Sequence, residues 1–220
     1  MALTRAELRT IVRSELDDDS YDSDVINRAA NWFIDEVCNN NHLRRMEASE
    51  ELNADTGDTE MELPDDMKTM ISLYLTTPQV YDMKKDYLAY DDFMQSHADF
   101  ASATSAQARQ WTDFANGVRF AAPLNAAHVF NCDYLRKPVA AEDDEDEYDW
   151  PDGYDELLVF GAWARVVERE EDYEIASQKR DLMAGLRTAF IKNESRGQIK
   201  TGGNVIRTGR HRRTWSAKDF

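Results

Sequence analysis

The sequence has little cysteine and no long apolar run. Its two cysteines, Cys38 and Cys132, lie far apart and match no metal-binding or redox spacing, which favours reduced thiols in a cytosolic product. No stretch approaches the roughly 18 apolar residues that a transmembrane helix needs. The N-terminus carries an early acid, Glu7, and lacks an apolar core, so we expect no secretion signal.

Motifs typical of catalytic, metal-binding or phosphate-binding sites are also scarce. The four histidines form no pair at helical spacing, no glycine-rich loop precedes a helix, and no Gly-x-Ser-x-Gly elbow is present. Paired carboxylates are frequent, but they lie in charged runs, whereas a catalytic acid needs an apolar pocket that raises its pKa. We therefore predict no catalytic residue, no metal ion, no cofactor and no enzymatic activity.

Acidic residues are abundant in the sequence and outnumber the basic ones. It holds 43 Asp and Glu against 26 Lys and Arg among 220 residues, a net charge of −17. Because 42 % of the residues are hydrophobic and 10 % aromatic, a disordered acidic protein is excluded. The acidic bulk also argues against nucleic-acid binding by the body of the protein, since like charges repel phosphate.

The charge is unevenly spread along the chain. Residues 195–220 hold seven basic residues and one acid, a net charge of +6, which leaves −23 on residues 1–194. We predict an acidic body over 1–194 and a basic C-terminal arm over 195–220, whose apolar groups favour ordering against a partner. The candidate docking residues of the arm are Val205, Ile206, Arg207, Arg210, Arg212, Arg213, Trp215 and Phe220.

Hydrophobic periodicity predicts the elements of the body. Apolar residues at helical spacing predict helices at about 4–16, 24–40, 152–169 and 172–192, the first starting in a capping box of Thr4 and Glu7. Alternating residues predict a β-rich insert at about 55–138, including a hairpin that turns at Asn116-Gly117. The expected fold is α+β and mainly helical: a four-helix bundle, a small antiparallel β insert between helices 2 and 3, and an extended C-terminal arm.

A block of acids precedes the third predicted helix. Seven of the eight residues 142–149 are acidic, and such a block repels itself. We therefore predict a solvated acidic loop over 140–149, and expect its neutralisation to leave folding intact. Its candidate site residues are Glu142, Asp143, Asp144, Glu145, Asp146 and Glu147.

Several short motifs follow one another along the chain, and their order indicates a protein family. After two N-terminal helices come a Leu-Pro-x-Asp step at Leu63–Met67, the hairpin Phe114–Phe120 and the strand Phe130–Pro138. A polar loop then precedes Trp150–Leu158, which enters a helix containing Gly161-Ala162. In this order, over nearly the whole chain, the sequence resembles the head-to-tail adaptor (connector) proteins of tailed bacteriophages.

This resemblance implies a structural virion protein that binds the portal. Similar proteins form a ring, usually dodecameric, that extends and seals the DNA channel and offers a platform to tail nozzle or fibre proteins. Their helical part makes the ring contacts and their C-terminal arm climbs onto the portal. The resemblance makes the loop at 142–147 a candidate channel-facing surface, past which genomic DNA moves without sequence-specific binding. It also implies synthesis in the host bacterial cytoplasm and no membrane partner.

Three other functions are compatible with the residues. One is another head- or tail-completion protein of a virion. A second is a cell-wall hydrolase using paired carboxylates, which peptidoglycan cleavage lost on one carboxylate substitution would indicate. A third is an acidic DNA mimic, which competition with DNA for a basic protein would indicate.

Overall fold

The computed structural model describes residues 3–194 and the strands at 199–201 and 204–206. Over these residues the chain divides into two compact units. The helical unit contains the residues up to Met46 and those from Lys137 onward, and the sheet unit contains Glu47–Arg136. The chain therefore leaves the helical unit once, builds the sheet unit and returns.

Four helices form most of the helical unit. They are α1 Arg5–Leu16, α2 Ser23–Asn40, α4 Asp155–Arg169 and α5 Tyr173–Glu194, with α3 Tyr90–Ser96 belonging to the sheet unit. The helix α4 packs against each of the other three. The unit also contains an antiparallel hairpin, β8 Ile199–Thr201 with β9 Asn204–Ile206.

Local sequence explains where α1 begins and ends. The Thr4 hydroxyl accepts a hydrogen bond from the Glu7 N–H at 3.3 Å, and the Glu7 carboxylate accepts one from the Thr4 N–H at 3.0 Å. The predicted capping box is thus confirmed. The helix ends at Leu16, and the next residue, Asp17, has a left-handed backbone (φ 55°) and donates its N–H back to the Arg13 carbonyl.

The sheet unit contains two antiparallel sheets and a short helix. Their bounds are β1 Glu47–Ala54, β2 Glu60–Glu62, β3 Met67–Thr77, β4 Tyr81–Asp82, α3 Tyr90–Ser96, β5 Trp111–Phe114, β6 Gly117–Phe120 and β7 His128–Arg136. One sheet has the strand order β1-β7-β3-β4 and the other has the order β2-β6-β5.

The sheets enclose a hydrophobic core that belongs to this unit alone. Trp111 and Phe130 are fully buried in it, and Phe120 stacks on Phe130 with ring centroids 5.6 Å apart. The Trp111 indole N–H donates to the Met83 carbonyl at 2.6 Å, so its one polar atom is satisfied. Residues 47–136 are therefore held together by their own packing.

The prediction of a mainly helical four-helix bundle with a small β insert is wrong. Residues 47–136, all of which the structure describes, form seven strands in two sheets with a separate core. The sheet unit also begins with β1, before the predicted start of the insert at about 55. The strand was overlooked because Glu47–Ala54 is rich in Glu and Ala, residues that favour helices, and its pairing partner β7 lies far along the chain.

The β5–β6 hairpin exists, but its turn is displaced by one residue from the prediction. Phe114 pairs with Gly117, so the two turn residues are Ala115 and Asn116, with Ala115 at φ 52°. Gly117 serves another purpose, because a Cβ there would lie 2.8 Å from the Met61 carbonyl oxygen of β2. The glycine therefore permits a close strand approach instead of a left-handed turn.

Candidate assembly surfaces

The acidic loop caps the start of α1. The Arg5 N–H donates to the Asp146 carbonyl at 3.0 Å, and the Ala6 N–H donates to the Asp144 carbonyl at 3.2 Å. Just before the helix, the Tyr148 N–H donates to the Leu3 carbonyl at 3.1 Å. Loop carbonyls thus satisfy N–H groups of the first helical turn, which have no partner inside the helix.

Two acidic side chains hold this loop in shape. Asp146 accepts hydrogen bonds from the N–H groups of Asp143 and Glu142, both at 2.9 Å, and these bonds hold the pKa of its carboxyl below the ordinary value. Asp144 forms a 2.7 Å ion pair with Arg9, and this contact lowers its pKa. The loop is therefore a structured cap, and neutralising all of it would remove contacts that the sequence did not reveal.

Asp149 at the end of the loop forms a 3.2 Å ion pair with Arg45. The four remaining acids of the loop are exposed to solvent: Glu142, Asp143, Glu145 and Glu147. They form a concentrated negative surface. In the described contacts, their side chains make no hydrogen bond or ion pair that holds the cap together. That this surface faces a DNA channel stays a prediction.

Aromatic side chains fix the junction of α2, α4 and α5. Trp150 stacks on Phe190 with centroids 4.7 Å apart and planes 6° from parallel, and its indole N–H donates to the Tyr154 carbonyl. Phe33 of α2 packs on the same indole at 5.8 Å. Trp150 and Trp163 are both buried and thus belong to the core of the helical unit.

An ion network joins the same three helices. Arg165 of α4 contacts Glu36 of α2 and, at 2.9 Å, Glu168 of its own helix. From α5, Arg187 contacts Glu36 at 3.2 Å and Arg180 contacts Glu168. Each carboxylate is thus shared between two arginines, and these contacts hold the pKa of Glu168 below its ordinary value, chiefly through Arg180.

A groove between α2 and α4, here called the Trp32 groove, has a volume of about 390 Å³. Trp32 is 45 % exposed, and the Arg165 guanidinium lies 3.1 Å from the centroid of its ring. The floor is apolar and the rim is mostly basic; the lining is Val25, Arg28, Ala29, Trp32, Arg165, Glu168 and Arg169.

The side of α5 that points away from the bundle is also partly apolar. Only Ala176, Met183 and Phe190 of this helix are buried, whereas Ile175 is 38 % exposed and Leu182 is 61 % exposed. Gly185 lies one turn beyond Leu182 with open space around it. We call one strip of the exposed residues of this helix the outer α5 face: Glu174, Ile175, Gln178, Asp181, Leu182 and Gly185.

The predicted docking arm is described only at its beginning. Val205 and Ile206 belong to β9, where they pair with Lys200 and Ile199 of β8. The remaining predicted docking residues lie outside the described part of the chain: Arg207, Arg210, Arg212, Arg213, Trp215 and Phe220.

Neither cysteine has the features of a reactive thiol. Neither Cys38 nor Cys132 forms a disulfide, and both are buried. Burial raises the pKa of the Cys132 thiol to about 12, so it stays protonated at neutral pH. Among the residues that the structure describes, no group of three or more His, Cys, Asp or Glu side chains is arranged to hold a metal ion.

The comparison with protein families covers both units. The model of the SU10 adaptor protein family matches residues 3–208. This chain belongs to the SU10 adaptor protein family. Membership confirms the resemblance to phage head-to-tail adaptors and gives the chain a structural adaptor role as a component of a bacteriophage virion. No curated protein matches this SU10 adaptor in sequence. Within its described residues, the adaptor has no helix of the length and apolar character that a membrane span requires.

Proposed function

We propose that this SU10 adaptor forms a dodecameric ring that docks on the portal at the head-to-tail interface of the virion. The ring extends and seals the DNA channel and presents a platform to tail nozzle or fibre proteins. The match of the adaptor family over residues 3–208 carries the proposal, because it spans both units and the start of the arm. The protein would be made in the host bacterial cytoplasm before assembly.

The division of charge supports this role. The body carries −23 and the arm +6, so the two parts suit different partners. An acidic channel wall repels the phosphates of passing DNA, which prevents sequence-specific binding and lets the genome slide. A basic arm is attracted to an acidic surface of the portal.

Charge alone does not account for docking of the arm. Ordering a residue costs on the order of 1–2 kcal/mol of backbone entropy, and attraction between exposed charges is screened by salt. Burial of an apolar side chain such as Trp215 contributes roughly 1.5–3 kcal/mol, and main-chain hydrogen bonds to the portal add to it. We therefore assign the anchoring to Val205, Ile206, Trp215 and Phe220, and the steering to the arginines.

Deletion of residues 195–220 tests the proposal. The truncated chain should keep the circular dichroism spectrum and melting of the body and lose attachment to portals in a sedimentation assay. At high salt, Trp215→Ala should weaken attachment more than Arg212→Ala does, because salt already screens the arginine. Wild-type attachment of the truncated chain would show that the arm does not dock.

A further inference from the structure

The helical unit carries two exposed surfaces whose free charges are of opposite sign. One is the Trp32 groove, and the other is the outer α5 face. Neither is covered by any part of the chain that the structure describes, and both combine apolar side chains with charges. A molecule that carries two different complementary surfaces can join its copies head to tail, and such contacts close into a ring if the rotation permits.

The charges of the two surfaces are opposite. Arg165 in the groove is already paired with Glu36 and Glu168, which leaves Arg28 and Arg169 as its outward-facing cations. On the outer α5 face the exposed charges are Glu174 and Asp181. These two carboxylates are seven residues apart, a rise of about 10.5 Å along the helix. The outer α5 face therefore offers two acids to a groove that offers two arginines.

The apolar parts match as well. Ile175 and Leu182 share the seven-residue spacing of the acids and lie beside them, one step further along the helix. The groove offers Val25, Ala29 and the exposed Trp32 ring to such side chains. A helix laid into an apolar groove with anchors at this spacing is a common mode of protein recognition. Gly185 leaves open space in which an indole ring can approach the helix closely.

We propose that the Trp32 groove of one copy receives the outer α5 face of a second copy, as the repeating lateral contact of the ring. This inference rests on the proposed ring and names the surfaces that form it. Bodies with a charge of −23 repel one another, so a ring needs local attraction at the contact. Arginine–carboxylate pairs beside buried apolar groups supply that attraction over a short range.

Disulfide trapping tests the pairing. The variant with Arg28→Cys and Asp181→Cys should give a ladder of linked chains beyond the dimer on oxidation, because each copy carries both halves of the contact. A mixture of the two single variants should stop at the dimer. The native Cys38 and Cys132 are buried and should not interfere. Glu15→Cys combined with Asp181→Cys is the control, since Glu15 is equally exposed but lies on α1.

A charge exchange gives a second measurement. Arg28→Glu should reduce ring formation about tenfold, and adding Asp181→Arg should restore it, whereas adding Glu15→Arg should not. Rings that form on portals without a ladder would overturn the pairing but leave the proposed function intact. A dimer formed by Arg28→Cys alone would also overturn it, since that result requires a two-fold contact.

Trapping is therefore performed on portal-bound protein and on the free chain at high concentration. Failure of the protein to bind portals would overturn the proposed function. Disulfide trapping of the free chain would still show whether the Trp32 groove contacts the outer α5 face. A ladder from the free chain would support the pairing, and its absence there and on portals would overturn it.

Discussion

At the scale of single residues, the close approach of α2 and α4 depends on a glycine, which has no side chain. Gly161 of α4 faces Phe33 of α2, and a Cβ there would lie 2.5 Å from three atoms of the buried ring. Phe33 also packs on Trp150, so it has little freedom to move away. The sequence marks Gly161 as part of a motif, but its partner lies on a distant helix and is visible only in the structure.

Gly161→Ala should therefore destabilise the protein by about 1–3 kcal/mol through overpacking. Urea unfolding followed by circular dichroism measures the change. Gly185→Ala is the matched control, because Gly185 is also inside a helix but has nothing within 4 Å of the added Cβ. That control should gain about 1 kcal/mol from helix propensity. Equal effects of the two substitutions would contradict the close approach of α2 and α4.

At the scale of elements, the acidic loop combines an anchored part with a free part. Asp146→Asn should lower the melting temperature at neutral pH, since the neutral amide accepts more weakly from the Asp143 and Glu142 N–H groups. The pKa of Asp146 is lowered in the folded protein, so its stabilising effect is present above the ordinary carboxyl pKa of 3.8 and is lost as the pH falls through the lower folded value. The difference in melting temperature between Asp146→Asn and wild type should therefore disappear in that acidic range.

Glu145→Gln serves as the control for this measurement. Glu145 is exposed in the same loop, and no side-chain hydrogen bond is described for it. Melting curves from neutral to acidic pH should leave this variant close to wild type throughout. If both variants melt alike at neutral pH, the bonds to Asp146 do not stabilise the cap.

The free part of the loop is where a role in DNA passage can be measured. Replacing Glu142, Asp143, Glu145 and Glu147 by their amides removes exposed charge and leaves both anchoring aspartates in place. The melting temperature should stay near that of wild type, whereas DNA ejection from virions should slow if the loop lines the channel. An unchanged ejection rate would show that this surface lies elsewhere.

The elements themselves were predictable to different degrees. A helix such as α1 can be predicted from its own sequence, through the Thr4 cap and an apolar stripe. This is possible because the hydrogen bonds that define a helix join residues only a few positions apart. The β1–β7 pairing is non-local, so its register left no local signal. On α5 the sequence shows one broad apolar stripe, but only the row of Ala176, Met183 and Phe190 finds neighbours to bury it. The neighbouring row with Ile175 and Leu182 stays exposed.

At the scale of the whole molecule, the sheet unit should fold without the helical unit. Its core is built from its own residues, and Trp111 and Phe130 are fully buried within it. A fragment of residues 47–136 should therefore unfold cooperatively in urea, followed by tryptophan fluorescence, since Trp111 is its one tryptophan. Phe130→Ala in this fragment removes a fully buried ring, keeps Trp111 as the probe and should cost about 3–5 kcal/mol. A fragment without a cooperative transition would show that the unit depends on the rest of the chain.

Net charge governs association of the whole chain. Bodies at −23 repel most strongly when salt is low, so the purified protein should be mainly monomeric there and should form rings on a portal. Light scattering coupled to gel filtration measures the state of the free protein. Rings of the free chain at low salt would contradict the role of this repulsion.

The first and last strands of the sheet unit are neighbours, and their ends are paired. Glu47 lies opposite Leu135, so the two crossings between the units are separated by about the 4.5–5.5 Å of an antiparallel pair. Any domain whose termini lie that close can occupy the same place without altering the length of the helices on either side. The sheet unit is thus an insertion that enters and leaves the helical part of the chain at one place, so its own length and sequence can change without lengthening or shortening any of the four helices.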